Sequence, residues 1–155
     1  MKPYLLDTNV LIALAWPNHV HHRETQIWFE EKGAARFRTC PITQTGFVRI
    51  SSNPAFTPAA VTPGEALALL ERVRHLPGHD FWPDDISLND ALAGKSLTGH
   101  RQITDAYLLA LASVHGGVLA SLDRGGEPSW PPLGNWGRTR LRRRILFEAG
   151  NSIAV

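Results

Sequence analysis

Along this chain, short apolar runs of strand length alternate with longer stretches in which apolar residues recur every three or four positions. The first run, Tyr4-Leu5-Leu6, ends on Asp7, and a helical pattern follows over residues 8 to 15. Trp16-Pro17-Asn18 interrupts it, because proline restricts the preceding residue to extended geometry. Asn18 is placed to cap a second helix over residues 19 to 32, closed by Gly33. Arg36 to Cys40 alternates basic and apolar side chains, which suits an edge or half-exposed strand. Pro41 fits the opening of a third helix, with Ile42, Gly46, Phe47 and Ile50 in one stripe until Asn53-Pro54.

Thr62-Pro63-Gly64-Glu65 forms a capping box for a fourth helix carrying Leu67, Leu70 and Val73 and ending at Pro77-Gly78. Phe81-Trp82 predicts a weak strand, Pro83-Asp84-Asp85 a turn, and Ser87 caps a short helix that stops at Gly94. Ile103 to His115 is apolar on nearly every side, which predicts a helix buried against a sheet, with Thr104 as its cap and Asp105 in its opening turn. After Gly116-Gly117, the continuous run Val118 to Leu122 has the character of a parallel-sheet strand and ends on Asp123. Strand and helix alternate throughout, so the fold class is α/β with a mostly parallel sheet.

Composition narrows this picture without redirecting it. With 155 residues, 43% hydrophobic and 19% charged, the chain is most economically one globular domain with a real core. Its longest apolar run falls far short of the roughly 18 residues of a membrane span, and the N-terminus lacks signal-peptide organisation, so a cytoplasmic protein with no membrane partner is expected. The single Cys40 excludes an internal disulfide and a multi-cysteine zinc site, leaving oxygen or imidazole for any metal. Of the 16 Lys and Arg, Arg138, Arg140, Arg142, Arg143 and Arg144 lie beyond residue 137, which leaves 11 bases against 13 acids before them. The basic balance is therefore a property of the tail.

Three acids are placed alike. Asp7 and Asp123 end apolar strands, and Asp105 lies in the opening turn of a buried helix. In a parallel sheet, strand ends and the starts of neighbouring helices meet on one rim, where such folds bind ligands. Carboxylates gathered in one cleft repel each other, and a hard divalent cation relieves that repulsion. Oxygen-only ligation with open positions suits Mg²⁺ or Mn²⁺, and the chemistry they favour with phosphates is phosphodiester hydrolysis.

Leu6-Asp7-Thr8-Asn9, Pro41-Ile42-Thr43-Gln44-Thr45-Gly46-Phe47-Val48-Arg49, Thr104-Asp105-Ala106-Tyr107-Leu108 and Ala120-Ser121-Leu122-Asp123 occur in an order that resembles the PIN-domain ribonucleases, and within them the VapC toxins of bacterial toxin–antitoxin pairs. The resemblance implies a PIN-like three-layer α/β/α fold over residues 1 to 125, with residues 126 to 155 an atypical basic extension of the same domain. It also implies a Mg²⁺- or Mn²⁺-dependent endoribonuclease with an RNA substrate, a cognate antitoxin and a homodimer. By family pattern Asp7, Asp105 and Asp123 hold the metal, with Asn9, Thr104 and Ser121 as hydrogen-bonding neighbours. The chain departs from the pattern at Gln44, where many members carry a glutamate. The amide can assist through its oxygen but removes one charge, so a catalytically inactive PIN-fold module that binds RNA or protein is the alternative.

Other residues read more plainly. His19 and His22 share a helix face, but without a third ligand they are surface histidines. Asp84-Asp85 is expected as a solvated turn, and Trp28 and Phe29 as core or interface. A haloacid-dehalogenase reading of Asp7 fails because the second acid of its Asp-x-Asp motif is replaced by Asn9.

Overall fold

The structure, a computed structural model, describes residues 1–100 and 102–122. Asp123, the expected third acid, and the tail beyond it lie outside the described residues. Four strands, β1 (Tyr4–Leu6), β2 (Phe37–Thr39), β3 (His79–Phe81) and β4 (Val118–Ala120), form a sheet of order β3-β2-β1-β4 with every pairing parallel. Tyr4 aligns with Phe37 and with Val118, and Leu6 with Ala120.

Alternation along the strands divides the core into two halves. Leu6, Phe37 and Ala120 face one way, against α1 (Thr8–Ala15), α2 (His22–Trp28), α3 (Pro41–Ser51) and α4 (Pro63–Arg74). Leu5 and Leu119 face the other way, where Tyr107, Leu108, Leu111 and Ala112 of α6 (Gln102–Val114) and Ala91 of α5 (Leu88–Leu92) cover them. Helices on both faces of a parallel sheet make the three-layer α/β/α architecture that the strand–helix alternation predicts.

Helix boundaries follow local chemistry where that chemistry is strong. The Thr62–Glu65 capping box is formed, with Glu65 Oε2 accepting from the Thr62 N–H at 2.8 Å and Thr62 Oγ1 from the Glu65 N–H at 3.3 Å. These bonds pull the Glu65 carboxyl below its ordinary value. Ser87 caps α5 by accepting from the Asp90 N–H. Elsewhere packing moved the ends. Asn18 caps nothing: residues 17 to 21 form turns, His19 Nδ1 takes the His21 N–H at 3.1 Å, and α2 starts at His22. A π-turn, Phe29–Gly33, continues α2, and its extra residue lets both Trp28 and Phe29 enter the core.

β2 is an interior strand, so of the edge or half-exposed placement that its basic–apolar alternation suggested the edge is excluded, while Arg38 is half-buried. Arg38 is accommodated there because a long side chain can lie along a sheet face while its head finds partners. Its guanidinium donates to the carbonyls of Phe37 and Gly78, pairs with Asp80 at 3.6 Å and sits over the Trp82 ring. Likewise α6 is buried on one face only, with Ile103 and Val114 exposed.

Candidate active site

The chain passes from β1 to β2 to β3 in one direction and then returns to the far side of β1 for β4. The order reverses between β1 and β4, and the crevice beyond their C-terminal ends is the position where open α/β sheets bind ligands. Asp7 and Ser121 are the residues directly after these two strands.

Asp7 is 5% exposed, and several partners anchor it. Its N–H donates to the Ala120 carbonyl at 2.9 Å, tying it to β4. Its Oδ1 accepts from the Thr8 N–H at 2.6 Å and its Oδ2 from the Ser121 hydroxyl at 2.9 Å. The carboxylate therefore caps α1 and bridges the two strands of the crevice. An aspartate suits this place, since an N-terminal helix end offers unpaired N–H groups and a partial positive charge.

Asp105 occupies the first turn of α6, half-buried. A helix that feeds a parallel strand ends where that strand begins, so its first turn lies at the opposite rim, the one that carries Asp7. Thr104 is exposed inside the same turn; α6 already starts at Gln102, so Thr104 is not its cap. Asn9 is half-buried, the second residue of α1.

Gln44 takes a different course. Its Nε2 donates to Thr39 Oγ1 at 2.9 Å, and that hydroxyl in turn meets His79 Nε2 at 2.8 Å. By strand alternation Thr39 shares the face of Phe37, whereas Asp7 shares that of Leu5. The structure thus brings Ser121 onto Asp7 and places Asp105 on the same rim, while the Gln44 amide nitrogen is committed to the neighbouring strand. Among the described residues no three His, Cys, Asp or Glu side chains gather as a metal-ligand set; the expected trio includes Asp123.

The other polar residues fall as follows. Asp84 is exposed, as a solvated position predicts. Desolvation still raises its carboxyl above the ordinary value, against the lowering influence of the nearby Cys40 thiol and Ile42 N–H at the start of α3. Burial likewise raises the Cys40 thiol, and Tyr107 rises through desolvation and then the nearby Asp84 charge. Asp85 pairs with His115 at 2.9 Å, and His115 stacks on Trp82. His22 Nδ1 lies 2.6 Å from the Ala13 carbonyl, and no metal-ligand set forms around the histidine run among the described residues. Trp28 is core, as expected.

Sequence reasoning missed Thr8, Gly46, Thr39 and His79. Gly46, a glycine inside an apolar helical stripe, and Thr8, within the Leu6-Asp7-Thr8-Asn9 stretch, left signals without a role attached; Thr39 and His79 are ordinary strand residues until the fold sets them beside Gln44.

A family model for the PIN domain matches residues 4–125. The chain belongs to the PIN domain family. Among similar PIN proteins, Ribonuclease VapC39 of Mycobacterium tuberculosis is 48% identical over 121 residues, covering 77% of this chain and 87% of that protein. Ribonuclease VapC38 of the same organism is 43% identical over 121 residues, with 78% and 85% covered. Ribonuclease VapC29 is 43% identical over 122 residues, with 78% and 86% covered. Membership also accounts for the layered architecture around the crevice. No described helix of this PIN domain is long and apolar enough to cross a membrane.

Proposed function

We propose that this PIN domain is a divalent-cation-dependent endoribonuclease, the toxin of a type II toxin–antitoxin pair. The observation that carries the reading is the Asp7 carboxylate, buried at the switch-point crevice and bridged by Thr8 and Ser121, in a chain whose relatives bear the name ribonuclease. RNA is the substrate in this reading, a cognate antitoxin and a second copy of the chain its protein partners. Residues 126 to 155 extend the same domain.

The donor chemistry fits a hard cation: Asp7, Asp105 and Asp123 offer carboxylate oxygens only, with the carboxamide of Asn9 and the hydroxyls of Thr104 and Ser121 in support, as Mg²⁺ or Mn²⁺ requires. When bound, such a cation neutralises charge building on the phosphodiester and activates water for its hydrolysis. The protein's own part is orientation. Ser121 and the Thr8 amide hold the Asp7 carboxylate in one plane, and the N-terminal turn of α6 offsets the charge of Asp105. Any help from Gln44, at the start of α3, comes through its carboxamide oxygen, because its nitrogen donates to Thr39.

A second reading, a catalytically inactive RNA- or protein-binding module, draws on one observation, the Gln44 amide tied to Thr39 in place of a fourth acid. Cleavage of total RNA with Mg²⁺ and with EDTA, for the wild type and Asp7→Asn, separates the two. The nuclease reading expects Mg²⁺-dependent products with 5′-phosphate and 3′-hydroxyl ends that disappear in Asp7→Asn. Cleavage unchanged in the variant sinks the site, and metal-independent binding without cleavage by the wild type selects the module.

A further inference from the structure

Gly46 lies inside α3 with ordinary helical backbone, so no left-handed conformation demands a glycine there. A glycine in a helix interior is destabilising relative to alanine, because it orders the most flexible residue and contributes no side chain. What the position does require is space. A Cβ built on Gly46 would lie 2.5 Å from Thr8 Oγ1, 2.8 Å from Thr8 Cγ2 and 3.2 Å from Thr8 Cβ, the first two closer than real methyl contacts come. The missing side chain thus lets α3 seat directly on the residue whose N–H holds Asp7 Oδ1.

We infer that Gly46 is a positioning residue of the crevice: its bare backbone lets α3 clamp the Thr8 side chain, and the clamped Thr8 amide aims the Asp7 carboxylate. This rests on the reading of Asp7 as part of a cation site. Asp7 accepts a short bond from the Thr8 N–H on one oxygen and one from the Ser121 hydroxyl on the other, so a shift of residue 8 moves one of the points that orient the carboxylate. Small displacements of a positioning group are costly to a site that depends on geometry. The Thr43 hydroxyl takes the Cys40 N–H at 3.1 Å within the capping box of α3, so the first turn beside Gly46 is held in shape, and the atoms nearest an added methyl are those of Thr8.

The test is a double-mutant cycle of Gly46→Ala and Thr8→Ala, read by Mn²⁺ titration with electron paramagnetic resonance and by the chemical shift of the residue-8 amide proton without metal. Gly46→Ala is expected to weaken Mn²⁺ binding by at least about fivefold and to move the Thr8 amide proton upfield, while in the Thr8→Ala background, where the hydroxyl and methyl are gone, the same change costs less than about twofold. Equal weakening in both backgrounds, or wild-type affinity with an unmoved amide proton in Gly46→Ala, overturns the inference. If Gly46→Ala does not fold alone, the double variant carries the test. Folding with Mn²⁺ affinity close to that of Thr8→Ala supports the clamp, and a folded double variant that has lost that affinity overturns it. Asp7→Asn is measured alongside. Unchanged Mn²⁺ binding there defeats the cation reading itself, whereas lost binding there with none lost in Gly46→Ala defeats only the role given to Gly46.

Discussion

Thr39→Val is the sharpest probe of the polar chain under α3. Thr39 is fully buried, and its hydroxyl both accepts from Gln44 and meets His79. A hydroxyl has one proton to give. Its oxygen accepts from Gln44, and toward His79 Nε2 it can either donate to a bare nitrogen or accept from an N–H; burial and then the charge of Arg74 hold His79 below its ordinary value, which favours the neutral ring in either tautomer. Valine keeps the shape and removes both bonds. Each is worth about 1 kcal/mol net, and the two half-buried groups left behind add desolvation, so the loss is about 2–3 kcal/mol. For a domain of this size that lowers the melting temperature by roughly 6–12 °C. Thr39→Ser keeps the oxygen and gives up one methyl, so it loses only about 1 kcal/mol. Urea unfolding of the three proteins at pH 7.5 measures this. A Thr39→Val protein within about 0.5 kcal/mol of wild type, or a serine variant as damaged as the valine one, refutes the bonded chain.

The same histidine sets a pH dependence. His79 and His19 are both depressed, chiefly by burial, so between their folded values and the ordinary imidazole value of 6.5 the unfolded chain binds protons that the folded one does not. Their contribution is fully present above 6.5 and is lost as pH falls below it, so urea midpoints are expected to drop from pH 7.5 to pH 5.5; midpoints that rise on acidification contradict the burial. Ser121→Ala removes a charge-assisted hydrogen bond from Asp7, worth about 1.5 kcal/mol or more, and RNA cleavage is expected to fall roughly tenfold with the fold intact by circular dichroism. Thr62→Ala opens the capping box of α4, far along the chain from the crevice. A loss of about 1 kcal/mol in thermal unfolding, with cleavage unaffected, is expected, and a loss of activity at equal folded fraction counts against the site as drawn.

Much of this protein was legible in its sequence because the strongest signals are local. Proline at the first turn of α3 and α4, the Thr62–Glu65 box, Ser87 before α5 and the glycines after the helices act over a few residues, and the observed ends of these elements follow them. The apolar runs at Tyr4 and Val118 announced a parallel sheet, and Asp7 at the end of the first run marked the crevice. Local reasoning failed where a longer-range partner outweighed it. Arg38 made β2 resemble an edge strand, because nothing nearby in sequence announces Asp80, the Gly78 carbonyl and Trp82. Asn18 lost the start of α2 because His19 satisfied the His21 amide and the packing of Trp28 and Phe29 set where the helix runs.

The chain's periodicity by itself determined the fold class and the acid at the end of the first strand, since both follow from which residues avoid water and which end a run. Tertiary structure alone decided what that acid touches. Ser121 reaches Asp7 from 114 residues away, Gly46 yields its space to Thr8, and Gln44 turns to Thr39 and His79 on the other face of the sheet. A hydrogen bond or a methyl-sized gap is set by where two backbones meet, and only the packed sheet with its helices brings those backbones together.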